Sequence, residues 1–233
     1  MSAGCGGAGD PAADLQSVVD FLRALGFDRL PLDVPIPDRT TPARQVREAL
    51  LRQLREEIGD CRRCKLSAHR THIVFGDGNP EARIMFIGEA PGREEDIQAL
   101  PFVGDAGRLL TRLIERMGFQ RSDVYIGNII KCRPPMNRDP EEDEVAACRG
   151  FIERQISIIS PEAIIALGRI AVQTLRSDPK IRITSARGHF FDFHGVPVMP
   201  TFHPAYLLRN PKDKILTWSD AQKVLKRLGI PTA

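Results

Sequence analysis

Residues 82–92 read ARIMFIGEAPG, and this stretch decides the fold. ARIMFIG (82–88) is a short apolar run ending in glycine, the pattern of a strand buried on both faces. GEAPG (88–92) turns sharply. Its two glycines and proline let backbone N–H groups face a ligand, or simply end a strand. Glu89 stands just past the strand end, where a carboxylate can activate water or stabilise charge.

Outward from this stretch, strands and helices alternate. AGRLLTRLIERMG (106–118) reads as a helix with glycine at its end, and DVYIGNII (123–130) as a second strand. Asp139 is placed to cap the next helix, with Pro140 at its first position and Glu141, Glu142 and Asp143 at its positive end. EAIIALG (162–168) is a third strand, followed by a short helix. Residues 183–202 read as a hairpin leading into a fourth core strand, and WSDAQKVLKRLG (218–229) as a closing helix. Such alternation implies an α/β fold with a mostly parallel sheet covered on both faces. Ligands of such sheets bind at the carboxyl ends of the strands, so the chemistry belongs to GEAPG, NIIKCRPP and HPAYLL.

Upstream, VREALLRQLREEIGD has helical periodicity, which places the start of a 46–233 domain. Residues 1–45 read as a flexible tail: 1–14 are rich in Gly, Ala and Pro, 15–26 can form a short amphipathic helix, and 27–45 hold several prolines.

The chain has 233 residues, enough for one sizeable core plus a tail. A net charge of +3 permits nucleic-acid binding without arguing for it, so any basic footprint must be local. No run of about 18 apolar residues exists, which argues against a membrane span. The first residues lack the pattern of a secretory signal, so a cytoplasmic location is expected. There thiols stay reduced.

Five cysteines in that compartment point to metal binding rather than disulfides. Cys61 and Cys64 form a two-residue-gap pair, and Cys132 and Cys148 lie far along the chain, 16 positions apart. Thiolates suit iron–sulfur or zinc, and spacing separates neither these two metals nor a metal site from unrelated buried cysteines. Cys5 sits in the tail.

Three further residues are candidates: Asn128 and His203 at strand ends, and Phe102 between a proline and a glycine-bearing helix entrance. Phe102 is either core or a stacking platform for a flat ring. Asn128 either caps a turn or offers a ligand edge one donor and one acceptor. His203 is a candidate donor to developing negative charge.

Taken as an ordered set, GEAPGREED (88–96), PFVGDAGRLL (101–110), NIIKCRPPMNRDP (128–140), RGHFF (187–191) and HPAYLLRNP (203–211) resemble the family 4 uracil-DNA glycosylases. Four cysteines stand at matching places, and the resemblance covers roughly residues 55–229. It implies a three-layer α/β/α sandwich around a four-stranded sheet and a 4Fe–4S cluster on Cys61, Cys64, Cys132 and Cys148. It also implies release of free uracil from DNA, leaving an abasic site. Position by position, Phe102 matches the aromatic that stacks on flipped uracil, and Asn128 the amide that reads O4 and N3–H. Glu89 matches the carboxylate near the attacking water, beside Gly88 and Ala90, and Glu95 the side chain that excludes the thymine methyl. His203 matches the donor to uracil O2, and Leu207, Leu208 and Arg209 the segment that enters the duplex. Lys131, Arg138, Arg187 and Arg209 are expected to meet phosphates.

A sister group forms a covalent uracil adduct through a histidine in a basic insert and has histidine where this chain has Cys132; KCRPPMNRDP has neither feature. The expected partner is uracil-bearing DNA, single- or double-stranded, bound by a monomer near the nucleoid. Other readings are a different base specificity, a non-catalytic metal-stabilised DNA-binding module, and a zinc-stabilised scaffold.

Overall fold

The computed structural model describes residues 41–231, so the tail segment 15–26 and Cys5 lie outside the described residues. In chain order come α1 (Pro42–Ile58), β1 (Asp77–Gly78), β2 (Ile84–Gly88), α2 (Arg93–Gln98), α3 (Asp105–Arg116), β3 (Tyr125–Asn128), α4 (Glu142–Ile159), β4 (Ala163–Leu167) and α5 (Arg169–Arg176). They are followed by α6 (Ile183–Ala186), β5 (Phe191–Phe193), β6 (Val196–Thr201), α7 (Pro204–Arg209) and α8 (Lys214–Arg227).

The sheet has six strands in the order β1-β3-β2-β4-β6-β5. The inner four, β3-β2-β4-β6, are parallel. The four-stranded expectation describes this core, and each edge gains one short antiparallel strand. Every residue of β2 and β4 is buried, because helices cover both faces. Met85 and Ile87 face one core with Leu54 of α1 and Ile152 of α4. Ile84 and Phe86 face the other with Leu110 of α3 and Val224 of α8. The period-2 alternation of one apolar strand thus divides its side chains between two helix layers.

The chain leaves β2 for β3 through α3 on one face, then returns past β2 to β4 through α4 on the other. Opposite-face connections open a crevice beyond the carboxyl ends of the strands. Strand register puts Gly88 beside Asn128, and Leu167 beside Thr201, so the loops leaving β2, β3 and β6 start at one level.

Element ends differ from the sequence reading in local detail. The first described helix begins at Pro42, not at 46, because Thr41 caps it by accepting the Arg44 N–H at 3.0 Å. The helix assigned to an Asp139 cap instead starts at Glu142. Glu144 reaches back to the Glu141 N–H at 2.8 Å, while Asp139 accepts a hydrogen bond from Arg169. The closing helix starts at Lys214 rather than 218, and the short helix α6 precedes the hairpin.

Candidate active site

A cavity of about 400 Å³ opens at the carboxyl ends of the parallel strands. Glu89, Ala90, Glu95, Phe102, Asn128 and His203 line it together, and Arg138 and Arg209 stand at its wall. Three loops separated by tens of residues therefore build one site.

Asn128 lies at its floor, with Gly88 packed beside it. Asn128 is 1% exposed, and its Oδ1 is a buried acceptor with no hydrogen-bond partner among the described residues. A Cβ on Gly88 would lie 2.5 Å from that oxygen and 2.5 Å from Phe102 Cζ. Only glycine lets the amide and the aromatic ring approach this closely. The Ile129 N–H donates to Gly88 O at 2.9 Å and the Ile130 N–H to Glu89 O at 3.1 Å, which joins the two loop starts.

Phe102 takes a left-handed backbone conformation, φ 51. Such a residue needs support from its surroundings. Glu95 supplies it: its carboxylate accepts N–H bonds from Gly92 at 3.1 Å, Val103 at 3.0 Å and Gly104 at 3.1 Å. Gly107 lets the Phe102 carbonyl pack against helix α3, since a Cβ there would be 1.9 Å from that oxygen. Phe102 and His203 face each other with ring centroids 5.6 Å apart.

His203 Nδ1 accepts the Ala205 N–H at 3.2 Å. The neutral ring therefore carries its proton on Nε2. Burial, with Arg209 nearby, depresses its pKa to about 4, opposed by Glu95. A neutral imidazole with a free N–H thus borders the cavity. Glu89 behaves oppositely: burial, then Asp139, raises its pKa to about 7, with Arg169 opposing. Its proton is held loosely enough to exchange near neutral pH.

Several expected DNA contacts are redirected inward. Lys131 is 1% exposed and cannot reach a phosphate. Its ammonium donates to Asn128 O at 2.9 Å and Gln155 Oε1 at 2.6 Å, so it steadies the backbone of Asn128. Arg187 pairs with the buried Asp220, donates to Leu216 O and lies over the Phe202 ring. Leu207 is buried in the core and cannot enter a duplex. Leu208 and Arg209 remain exposed. Arg138 lines the cavity but is fixed by two bonds to Glu144, at 2.8 and 2.6 Å. The sequence reading missed Ala106 and Asn137 as lining residues, and Asp139 and Arg169 as the charges around Glu89.

The four cysteines converge. Cys61, Cys64, Cys132 and Cys148 line one small cavity between α1, the 59–73 segment and α4. N–H groups point at three of the sulfurs: Arg63 at Cys61 (3.4 Å), Arg70 at Cys132 (3.5 Å) and the Lys131 backbone at Cys148 (3.3 Å). Among the described residues, no three His, Cys, Asp or Glu side chains are arranged to hold a single metal ion. No described helix is long and apolar enough to cross a membrane.

The fold and cavity define an α/β protein of the enzyme class that carries its site at the carboxyl ends of a parallel sheet. Residues 75–227 match the family model of the uracil DNA glycosylase superfamily. A type-4 uracil-DNA glycosylase of Thermotoga maritima is 48% identical over 170 residues, covering 72% of this chain and 88% of the relative. One from Saccharolobus solfataricus is 47% identical over 182 residues, covering 75% and 84%. A type-5 enzyme of Thermus thermophilus is 31% identical over 135 residues, 52% of this chain and 61% of the relative. This chain belongs to the uracil DNA glycosylase superfamily.

Proposed function

We propose that the cavity receives a uracil extruded from DNA and that Asn128, His203 and Glu89 carry its excision. The protein is a DNA-repair glycosylase that hydrolyses the N-glycosidic bond of deoxyuridine in DNA. The observation that carries the site assignment is the buried, unpartnered Oδ1 of Asn128 at the cavity floor. A buried acceptor left unsatisfied is costly, so it selects a ring that brings an N–H to that point. Uracil N3–H does so, and the same amide can donate to O4. Cytosine brings an unprotonated nitrogen and an amino group, and both contacts fail. A mismatch of this kind can discriminate by ~10⁴ or more.

Extrusion itself costs a few kcal/mol. Phe102 offers a ring face on which the base can stack. Breaking the glycosidic bond leaves negative charge on uracil and positive charge on the sugar. The Nε2–H of neutral His203 is the available donor toward O2, and its low pKa keeps the ring uncharged at neutral pH, so it stabilises the leaving uracil anion by a hydrogen bond and keeps its own proton. Glu89 in its ionised form orients water and offsets the sugar cation. Glu95 is committed to three backbone N–H groups, so its part is to hold Phe102 and close the wall where a 5-methyl would project. Leu208 enters the vacated space in the duplex, and Arg209 meets phosphate.

Four thiols around one cavity, with N–H donors and two arginines beside them, fit a 4Fe–4S cluster better than a single ion. Bound there by Cys61, Cys64, Cys132 and Cys148, the cluster would supply a structural cross-link between the start of the domain and the loop after β3. A DNA substrate would place such an enzyme, read here as a monomer, in the cytoplasm beside the nucleoid. The test is incubation with a uracil-bearing oligonucleotide followed by alkaline cleavage, comparing wild type with Asn128→Ala. Strand breaks that persist at the wild-type rate in the variant would overturn the assignment.

A further inference from the structure

A second cavity, of about 130 Å³, lies behind α7, outside the uracil site. Its wall is largely aliphatic and aromatic, with Leu110, Leu113, Phe202, Leu207 and Trp218 contributing. Thr217 lines it, is 4% exposed, and its Oγ1 has no hydrogen-bond partner among the described residues. A helical threonine ordinarily satisfies its hydroxyl on a carbonyl of the preceding turn. Here the hydroxyl is buried and unspent. A bound water needs two to four polar partners, and this wall offers one such group at depth.

Arg112, Arg116 and Lys214 line the same cavity from exposed positions. Among the described residues Arg112 and Lys214 form no ion pair, and Arg116 lies over Trp218 at 4.3 Å. The chemistry therefore runs from a single buried hydroxyl, through an apolar waist, to a cationic mouth. An apolar cavity of roughly 150 Å³ accommodates benzene. Nucleobases fit poorly, because one hydroxyl cannot satisfy their several polar edge atoms.

We propose that this cavity is a binding site for a small aromatic acid: a benzene-sized ring with an anionic group toward Arg112, Arg116 and Lys214 and one hydrogen-bonding group toward Thr217. Phe202 and Leu207 stand on either side of His203 in sequence, and Pro204 and Leu207 of α7, the helix that ends at Arg209, line the cavity, so a ligand here braces α7 from behind.

Trp218 is the chain's one tryptophan, and its emission reports this cavity directly. The full-length protein is titrated with 4-hydroxybenzoate, phenol, acetate and inorganic phosphate. Saturable change with 4-hydroxybenzoate is expected, with phenol and acetate each about tenfold weaker or more. Thr217→Val, which keeps the shape and removes the hydroxyl, weakens binding roughly fivefold to tenfold. The Arg112→Ala/Lys214→Ala pair does so by a similar factor. Uracil release by each variant confirms that it is folded, and Asn128→Ala binds 4-hydroxybenzoate like the wild type. Absence of saturation, acetate or phosphate matching 4-hydroxybenzoate, or unaltered affinity in both the Thr217 and the double variant overturns the proposal. Should any variant fail to fold, the ligand series on wild type decides alone.

Discussion

Gly88 and Asn128 are register partners on adjacent parallel strands, and a methyl group on Gly88 would sit 2.5 Å from Asn128 Oδ1. The glycine thus sets how closely the Asn128 amide and the Phe102 ring can approach, rather than serving only as a turn residue. Gly88→Ala must displace the amide, the Phe102 ring, or both. The expected result is loss of uracil excision by about 10² or more, with stability lowered by about 1–3 kcal/mol. Steady-state kinetics on a uracil oligonucleotide and thermal unfolding check the two parts separately.

Asn128→Asp presents the buried floor with a carboxylate in place of the amide donor. Uracil excision is expected to collapse, and the protonated acid gains a match to the cytosine edge. Base release from paired uracil and cytosine oligonucleotides measures both. Wild-type uracil excision by this variant would remove Asn128 from the reading.

Replacing His203 by Ala removes the donor to O2, and a cost of ~10²–10³ in rate is expected. Near-wild-type turnover on single-stranded uracil DNA would show that the leaving anion is stabilised elsewhere. The fold should survive, because the ring is an N-cap whose loss costs about 1 kcal/mol.

Glu89 predicts a pH profile. Its pKa is raised from 4.5 to about 7, and the ionised form is the useful one. Activity should therefore rise as pH passes upward through about 7 and then level, and Glu89→Gln should lose that limb with ~10²–10⁴ of the rate. Because the folded carboxyl holds its proton more tightly than the unfolded chain does, Glu89 subtracts stability as pH rises from 4.5 to about 7. His203, depressed to about 4, acts in the other direction: its neutral burial is fully tolerated above 6.5, and stability is lost as pH falls from there toward 4. A profile of kcat/KM with no limb near 7 in the wild type would contradict the Glu89 role.

Salt dependence separates exposed cations from buried ones. Arg209→Ala should reduce the slope of log affinity against log salt by about one. Lys131→Met and Arg187→Ala should leave the slope unchanged and lower the melting temperature instead. Removal of Arg187 strands the buried Asp220, a loss of about 3–5 kcal/mol. Equal slopes in the Arg209 variant and wild type would move the phosphate contacts to another face.

The fold was legible where apolar runs were short and uninterrupted: residues 82–88 and 162–168 became the central strands, and their glycine ends became the site's edge. Helix starts were less legible, because Thr41 and Glu144 cap through local side-chain geometry that composition does not display. Among site residues, Glu89, Asn128 and His203 were readable from their place after strands, and Phe102 from its place between a proline and a helix entrance. Long basic side chains were not. A lysine in NIIKC has apolar neighbours that hint at burial, yet only its bond to Gln155, 24 residues on, shows where the charge is spent.

By itself the sequence determined the alternation of strand and helix, the parallel core and the residue types offered at the strand ends, since these follow from periodicity and turn chemistry along the chain. Tertiary structure alone decided which of those groups meet. It left Asn128 Oδ1 without a partner, fixed the His203 proton on Nε2, and turned Lys131, Arg187 and Leu207 inward. The reason is physical: desolvation and hydrogen-bond satisfaction depend on neighbours distant in sequence, and no local pattern records them.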